Sequence, residues 1–381
     1  MLLVFGQLFQ SLGYASLPLL PLYLAHLGAT RAEIGEVMAA GAIGGLALRP
    51  LVGWALDTIG RRPVLITGTV LLALGVGLVA VVDDVGIALN AVRVVFGIGI
   101  GALFTGYFAF AADIIPESRR TEGIALFGIA GLLPLTVNPI VTFLGIDGGA
   151  LRGFFGITGI VILLSVVFVI AVGEPTREAP ARGSPTGLRF VLRGLVVPRL
   201  WPVWLATTVF SGLIAVFFAF ATVAGADRGV PAPTLVWLTY AGGAIGVRVF
   251  GARLPDRLGV HNLVVPSLGL YVMALLVVAA GNTTLAFVIA GLLAGLGHGY
   301  GFPVITSLVI SRSSAHSRGA ALSAFTGLWD VSILFLSPLA GWTADQIGDR
   351  AMFSLTAIVI IAALALWAAV EHRMGTRQGA P

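Results

Sequence analysis

The chain has 381 residues, of which 58% are hydrophobic and only 10% are charged, and its formal net charge at pH 7 is +5. A soluble domain carries about 25% charged residues, so this composition excludes a water-soluble globular protein and indicates an integral membrane protein. The absence of cysteine excludes disulfides and thiol chemistry. All 22 basic residues are arginines, mostly in short segments between apolar runs, which argues against nucleic acid as a partner.

Twelve apolar runs divide the chain, and a helix needs about 20 residues to cross the hydrocarbon core of a bilayer. The sequence therefore predicts an all-α integral membrane protein with twelve transmembrane helices. The predicted spans are 2–26, 33–57, 63–82, 86–112, 122–145, 150–173, 200–225, 233–254, 262–281, 284–311, 319–343 and 350–370.

One long polar segment, residues 174–199, separates the first six spans from the last six. It carries four prolines and five arginines, a composition typical of a linker. The predicted domains are therefore an N-terminal six-helix half (1–173), a cytoplasmic linker (174–199) and a C-terminal six-helix half (200–381).

The distribution of arginine predicts the orientation. With both chain ends inside, the inner loops and tails hold fifteen arginines and the outer loops hold four. Cytoplasmic loops carry the excess of basic residues in membrane proteins. We expect a multi-pass protein of the cell (inner) membrane with both termini in the cytoplasm.

Two segments about two hundred residues apart share one pattern. Residues 49–62 read RPLVGWALDTIGRR, and residues 248–259 read RVFGARLPDRLG. In both, an aspartate (Asp57 or Asp256) lies eight residues after the first arginine and three residues before a glycine. The repetition predicts two equivalent halves.

A second pair of segments supports the repeat. Residues 123–145 in span 5 and residues 319–341 in span 11 each have a glycine at both ends. Two pseudo-symmetric halves of six helices favour a transporter whose halves rock about a central site.

These motifs give the chain a resemblance to the major facilitator superfamily over essentially its whole length. Residues 53–62 (GxxxDxxGRR) resemble the family's signature between spans 2 and 3, and residues 256–259 resemble its weaker second copy. Residues 93–101 (RxxxGxGxG) are similar to the second signature, in span 4, which is common in proton-coupled members. Residues 18–21 (PxxP), with Gly28 beyond them, are similar to the first span of twelve-helix drug:proton antiporters and sugar-efflux-type permeases.

The resemblance implies a secondary active transporter of small molecules that works by alternating access, with proton-coupled efflux (antiport) as its mode. Asn138 precedes Pro139 in span 5, where exporters usually carry a Gly-Pro pair. The alternative is therefore a proton-coupled or facilitated importer of a sugar, organic acid or metal chelate. The expected partners are a small-molecule substrate, protons and the lipid bilayer, and the family precedent is a monomer.

A membrane enzyme or receptor is the remote alternative. The chain has no HExxH motif, no phosphate-binding loop and no sizeable extramembrane segment. We therefore expect no enzyme activity, no cofactor and no metal site.

The turn after span 2 predicts a gate. Asp57 ends a helix, where the dipole disfavours a negative charge, so it needs a partner such as Arg61 or Arg62. The resemblance implies that Asp57 latches the inner gate against the start of span 11, and that Asp256 does the same towards span 5; an ordinary turn with surface ion pairs is the alternative. The predicted gate residues are Gly53, Asp57, Gly60, Arg61, Arg62, Asp113, Arg120, Asp256 and Gly259.

Three titratable or charged residues lie deep in the predicted spans, where they are costly unless they face a cavity or a partner. Asp330 in span 11 is expected to take a proton or bind a cationic group. Arg93 in span 4 is, by the resemblance, a candidate for proton coupling or anion contact, with a snorkelling arginine as the alternative. His298 in span 10 titrates in the working range of a proton-coupled carrier, or it bonds a neighbouring helix.

Polar and aromatic residues complete the predicted site. Gln7, Gln10 and Tyr14 fall on one face of span 1, and Asn138 and Trp329 are added as lining residues. Interhelical packing is the alternative for all five. The repeat-related arginines at positions 49 and 248 are interpreted as braces within each half rather than as part of the site.

Overall fold

The computed structural model describes residues 1–115, 127–174, 193–314 and 318–378, apart from the side chains of Ala112, Asp256 and residues 374–378. Within these ranges the chain is helical with short turns and has no β-strand. Ten of the described helices are long and apolar enough to cross a membrane, and two more apolar helices are shorter. The all-α membrane fold predicted from the sequence is confirmed.

In chain order, the helices are α1 (Leu2–His26), α2 (Arg31–Thr58), α3 (Arg61–Val81), α4 (Ile87–Ile114), α5 (Phe127–Phe143), α6 (Gly148–Val172), α7 (Pro198–Asp227), α8 (Leu235–Phe250), α9 (Val260–Ala280), α10 (Thr284–Ser311), α11 (Arg318–Ile347) and α12 (Asp349–Gln378). Each overlaps one predicted span. The prediction ran α8 on to residue 254, but the chain turns at Gly251 and continues as a separate short helix, Leu254–Leu258. Most of the predicted linker, residues 175–192, lies outside the described residues.

Proline interrupts two of the helices. A 3₁₀ turn at Leu17–Leu19 contains Pro18 in α1, and a 3₁₀ turn at Leu133–Thr136 contains Pro134 in α5. Proline has no backbone N–H and cannot continue the helical ladder, so each helix changes its geometry at that depth.

Large apolar side chains cover the outside of the bundle. Ile157 and Ile160 on α6 are 64% and 69% exposed, and Ile358 and Val359 on α12 are 61% and 58% exposed. In water this surface would be unfavourable. Its natural solvent is the hydrocarbon of a bilayer.

Helix α2 packs most closely against α4 and α11, whereas α8 packs most closely against α10 and also contacts α5. The backbone of Gly97 in α4 lies directly against the backbone of Gly41 in α2, where any side chain would collide. A glycine in α4 thus allows a neighbouring helix to come close. The chain ends and the turn after α2 define one face of the bundle, called here the terminal face; the turn before α2 lies at the opposite face.

Candidate substrate site

A cavity of about 280 Å³ lies in the middle of the bundle. Its described lining comes from eight helices: α1, α2, α4 and α5 of the first six, and α7, α8, α10 and α11 of the last six. Seven of the predicted site residues line it, namely Gln7, Gln10, Tyr14, Arg93, His298, Trp329 and Asp330. Arg49 and Arg248 also line it, although the sequence interpretation placed them outside the site.

An ion pair crosses the cavity. Arg49 in α2 donates from Nη2 to the Oδ2 atom of Asp330 in α11. The two side chains are 16% and 18% exposed, so the pair is largely shielded from water. Since α2 belongs to the first six helices and α11 to the last six, this pair joins the two groups in the centre of the protein.

Arg93 is held inside the bundle. Its side chain is 3% exposed, its Nε donates to the Val37 carbonyl at 3.3 Å, and its guanidinium carbon lies 4.1 Å from the centroid of the Phe96 ring. Gly41 leaves room for the guanidinium, because a Cβ there would lie 3.1 Å from Nη2. The arginine therefore faces α2 and the cavity and does not extend to the lipid surface.

Arg248 approaches α5 from α8. Its Nη1 lies against Gly128, at the point where any side chain on that glycine would stand. Among the described residues, Arg248 has no hydrogen bond and no ion pair. Its charge is therefore carried into the cavity without a carboxylate beside it.

His298 is tied to the last six helices. Its Nδ1 lies 2.7 Å from the hydroxyl of Tyr240, and its ring packs against Phe210 with the centroids 5.4 Å apart. Phe210 in turn makes an edge contact with Trp329, at 5.3 Å. Both predicted interpretations of His298 are compatible with this placement, since it lines the cavity and also bonds a neighbouring helix.

Gln7, Gln10 and Tyr14 of α1 all line the cavity. Gln10 donates from Nε2 to Gln7 Oε1 and to Ser11 Oγ, both at 2.9 Å, and the Tyr14 ring lies 5.1 Å from the Phe218 ring of α7. Asn138 differs from these residues. It is 1% exposed and donates to the Leu135 carbonyl of its own helix at 2.9 Å, which is a local bond at the proline turn of α5.

The cavity wall is rich in polar atoms that have no partner. Six buried side-chain polar atoms of the described residues lack a hydrogen bond, and four of them belong to lining residues. These four are Gln10 Oε1, Arg49 Nε, Trp329 Nε1 and Ser337 Oγ. Buried polar groups are normally satisfied, so their concentration here indicates a place for a polar ligand.

The predicted gate residues of the first repeat gather at the terminal face around Arg61. Its Nε donates to Asp113 at 2.9 Å, and its Nη1 lies 3.5 Å from Asp57 Oδ1. Gly53 lies in α2 with open space around the position of a Cβ. Asp57 thus has a described partner within its own group of helices, and its latch towards the start of α11 stays a prediction.

Glu174 is a gate-region residue that the sequence did not reveal. Its carboxylate accepts from the backbone N–H groups of Arg61 at 2.7 Å and Arg62 at 2.9 Å. Gly60 precedes them with φ +133°, a conformation that favours glycine. A carboxylate is the natural partner of a helix N-terminus, but nothing in the sequence indicates which of the distant acids would supply it.

The second repeat is described only in part. Gly259 has φ +83° and begins the turn into α9, Asp256 lies in the short helix Leu254–Leu258 with its side chain outside the description, and Arg120 lies outside the described residues. Nearby, Glu371 of α12 accepts from Arg312 of α10 at 2.5 and 2.9 Å. The ion pairs described at the terminal face therefore join helices of the same group of six.

The opposite face has a different kind of ion-pair network. Arg31, at the start of α2, pairs with Asp227 at the end of α7 and with Asp349 at the start of α12. Asp345 of α11 accepts from the backbone N–H groups of Arg31 at 2.9 Å and Ala32 at 2.8 Å. These bonds join the first six helices to the last six, and they were not predictable because the partners lie about two to three hundred residues apart in the sequence.

A helical membrane bundle with buried charges around a central cavity has the architecture of a solute carrier. The family model described as Major Facilitator Superfamily matches residues 3–335 and, in a second match, residues 248–380. The chain belongs to the major facilitator superfamily, and it is a multi-pass membrane transporter rather than an enzyme. The narrower resemblance to drug:proton antiporters and sugar-efflux-type permeases stays a prediction.

Relatives and solved structures agree with this assignment. The chain is 24% identical to YhhS, an uncharacterized MFS-type transporter of Escherichia coli (strain K12), over 84% of this chain and 79% of the relative. It is 22% identical to the uncharacterized MFS-type transporter MJ1560 of Methanocaldococcus jannaschii, over 90% of each chain.

Two solved transporters share the fold. The nucleoside transporter NupG superposes with a TM-score of 0.78 at 14% identity, covering 97% of this chain and 98% of its own. The human organic anion transporter MFSD10 superposes with a TM-score of 0.73 at 18% identity, covering 96% and 98%. At these identities the likeness concerns the fold alone.

Proposed function

We propose that this protein is a proton-coupled secondary transporter of small organic molecules that works by alternating access. The observation that carries the proposal is the ion pair between Arg49 and Asp330 inside the cavity. Protonation of Asp330 would remove its charge and release Arg49, so that proton binding acts directly on a contact between the first and the last six helices. In this proposal Arg93 and His298 face the same cavity and take part in the exchange of proton and substrate.

The ion pairs at the opposite face support alternating access. There the Arg31 network joins the two groups of helices, as expected of a carrier that is closed at that face. In the reverse conformation, Asp57 and Asp256 would latch the terminal face as the sequence predicts.

The moving bodies in this proposal are the two predicted halves, residues 1–173 and 200–381. The protein works as a monomer in the cell (inner) membrane. The terminal face, which carries the arginine-rich loops, lies in the cytoplasm.

The direction of transport depends on whether the substrate competes with the proton for Asp330 or binds together with it. The sequence favours antiport, in which a cationic group on the substrate replaces the proton at Asp330, and the result is efflux. A second candidate is import by symport, and the arginines of the cavity favour it. An anionic group of the substrate would bind Arg49 and displace Asp330 from it. A proton would then neutralise Asp330, so that proton and substrate bind together.

The test is substrate-dependent proton movement in proteoliposomes that contain a pH dye, measured over a mixed library of small organic solutes. Asp330→Asn keeps the shape of the side chain and removes its charge, and we expect it to abolish proton movement. Asp84→Asn, the same change on an exposed loop residue, is the matched control and should leave proton movement unaltered.

The sign of the pH change separates the two candidates, since antiport and symport move protons in opposite directions relative to the solute. Solutes that cross without proton movement, equally in the parent chain and in Asp330→Asn, would show that Asp330 has a structural role and that transport is not proton-coupled.

A further inference from the structure

The cavity has an excess of positive charge. Its described lining contains three arginines, Arg49, Arg93 and Arg248, but one carboxylate, Asp330. Asp330 pairs with Arg49. Arg93 bonds a backbone carbonyl and stacks on Phe96, and Arg248 has no described partner. Among the described residues, two guanidinium groups of the lining therefore have no carboxylate partner.

The repeat shows that Arg49 has a facing carboxylate and that its equivalent, Arg248, does not have one at the corresponding position. Arg49 and Arg248 are equivalent positions of the two repeats, and each reaches from its helix towards the other group of six. The segments 123–145 and 319–341 place Pro134 at the position equivalent to Asp330. Arg49 is thus neutralised by the facing helix, whereas Arg248 faces a helix that has a proline at the corresponding position.

Guanidinium groups without a carboxylate partner favour the binding of an anion. An arginine in a site of low polarity is unfavourable unless it is paired, and its planar fork binds carboxylate, sulfonate or phosphate oxygens through paired hydrogen bonds. Arg49 Nε and Trp329 Nε1, two further unpaired donors, belong to the same lining.

The rest of the wall is apolar and aromatic. Phe104, Phe218, Phe302 and Phe325 line the cavity beside Trp329. Aromatic rings offer large contact areas and prefer edge or offset contacts with other rings. A small inorganic anion would leave this aromatic surface uncovered.

We infer that the cavity binds an organic anion, with its acidic group at Arg248 and an apolar or aromatic body against the phenylalanines. This inference rests on the transport proposed above and agrees with its second candidate, symport, rather than with the cationic substrate of antiport. A cationic substrate, by contrast, would have to bind beside two guanidinium groups that have no described carboxylate partner.

The experiment measures binding without flux, so that its result does not depend on proton coupling. The purified full-length protein in detergent is heated with aromatic carboxylates and sulfonates of one and two rings, and thermal stabilisation is recorded. Each acid is compared with its neutral amide, with its amine analogue and with inorganic phosphate at equal concentration. The acids should raise the unfolding temperature, and the other three should not.

Substitutions then locate the acidic group. We expect Arg248→Gln to weaken binding of the stabilising acids about 10- to 100-fold, because a charge-assisted bond is lost, and Arg248→Lys to have an intermediate effect. Arg199→Gln, which removes an exposed arginine at the start of α7, is the matched control and should bind like the parent chain. The unfolding temperature of each variant without solute shows whether it is folded.

Two results would overturn the inference: stabilisation by the amines or amides and not by the acids, or stabilisation by the acids that Arg248→Gln leaves unchanged in a folded protein. Equal stabilisation by inorganic phosphate would remove the apolar half of the inference. Acids that bind through Arg248 but move no protons in proteoliposomes would uphold the anion site and refute proton coupling, so that the two proposals fail separately.

Discussion

The contact between α2 and α11 and the contact between α5 and α8 occupy equivalent places in the two repeats, yet their chemistry differs. The first is ionic, with Arg49 bound to Asp330 in the cavity and Arg31 bound to two aspartates at the opposite face. The second has a hydroxyl pair at that face, Thr142 with Thr234 at 2.6 Å, and leaves Arg248 without a described partner.

This difference shows how a repeated scaffold acquires one asymmetric site. Close packing of the helices needs small residues at both the α2–α11 contact and the α5–α8 contact. A counter-charge at both contacts, however, would leave no free arginine charge to bind a ligand. The α2–α11 contact is therefore suited to hold the two groups of helices together, and the α5–α8 contact is suited to meet the substrate.

The largest expected effect concerns the ion pair in the cavity. Arg49→Gln leaves Asp330 buried without its partner, so we expect the free energy of unfolding to fall by about 3–5 kcal/mol. Arg49→Gln combined with Asp330→Asn should recover at least half of that loss, because no uncompensated charge remains. The measurement is unfolding in mixed detergent–SDS micelles.

Arg248→Gln is the matched control for this prediction, since it removes the equivalent arginine from the other contact. Its free energy of unfolding should be unchanged or raised by up to about 1 kcal/mol, because an unpaired charge is removed from an apolar site. Equal losses for Arg49→Gln and Arg248→Gln would contradict the comparison.

An intermediate effect is expected at the opposite face. Arg31→Ala removes two ion pairs of up to about 1 kcal/mol each, so the population open at this face should rise about 5- to 20-fold. Spin labels at Glu36→Cys in α2 and Ile347→Cys in α11, both exposed positions in a cysteine-free chain, report the separation by pulsed electron paramagnetic resonance.

The control for Arg31→Ala is Asp83→Ala, which breaks an ion pair with Arg152 at the same face but within the first six helices. It should leave the distance distribution unaltered. If both variants lengthened the distance alike, the effect would belong to surface charge in general and not to the contact between α2 and its partners.

The smallest effect is expected from the hydroxyl pair. Thr142→Val keeps the shape of the side chain and removes one hydrogen bond with Thr234, which is worth about 0.5–1.5 kcal/mol. The open population should rise about two- to twelvefold by the same spin-label distance, and Thr306→Val, which loses a bond within α10, should not change it. A larger rise than with Arg31→Ala would reverse the proposed roles of the two contacts.

The helices of this protein were predictable because the signal for them is local. Hydropathy over about 20 residues is sufficient to locate a span. The end of α8 at Phe250 was missed because the residues on the two sides of Gly251 have the same composition. Asp330, Arg93 and His298 were predictable as cavity residues for the same reason: a charged or titratable side chain deep in an apolar run has few other places to go.

The partners of these residues were not predictable. Arg49 meets Asp330 across 281 residues of sequence, and the single sequence has no feature that pairs them. The role of Asn138 was not predictable for a different reason. A polar residue before a proline is equally consistent with a ligand site and with a hydrogen bond inside its own helix. The sequence analysis assigned the same bracing role to Arg49 and Arg248, because they occupy equivalent positions in the repeat. It could not show that Arg49 has an ion-pair partner and that Arg248 has none among the described residues.

Asp345 has a consequence for the surroundings of the protein. It accepts two backbone N–H groups in the first turn of α2 from another helix, so opening this face exposes those groups together with the Arg31 guanidinium. A phospholipid headgroup carries phosphate oxygens to which both can donate. The headgroup composition of the adjoining leaflet is therefore expected to set how long the carrier stays open on that side.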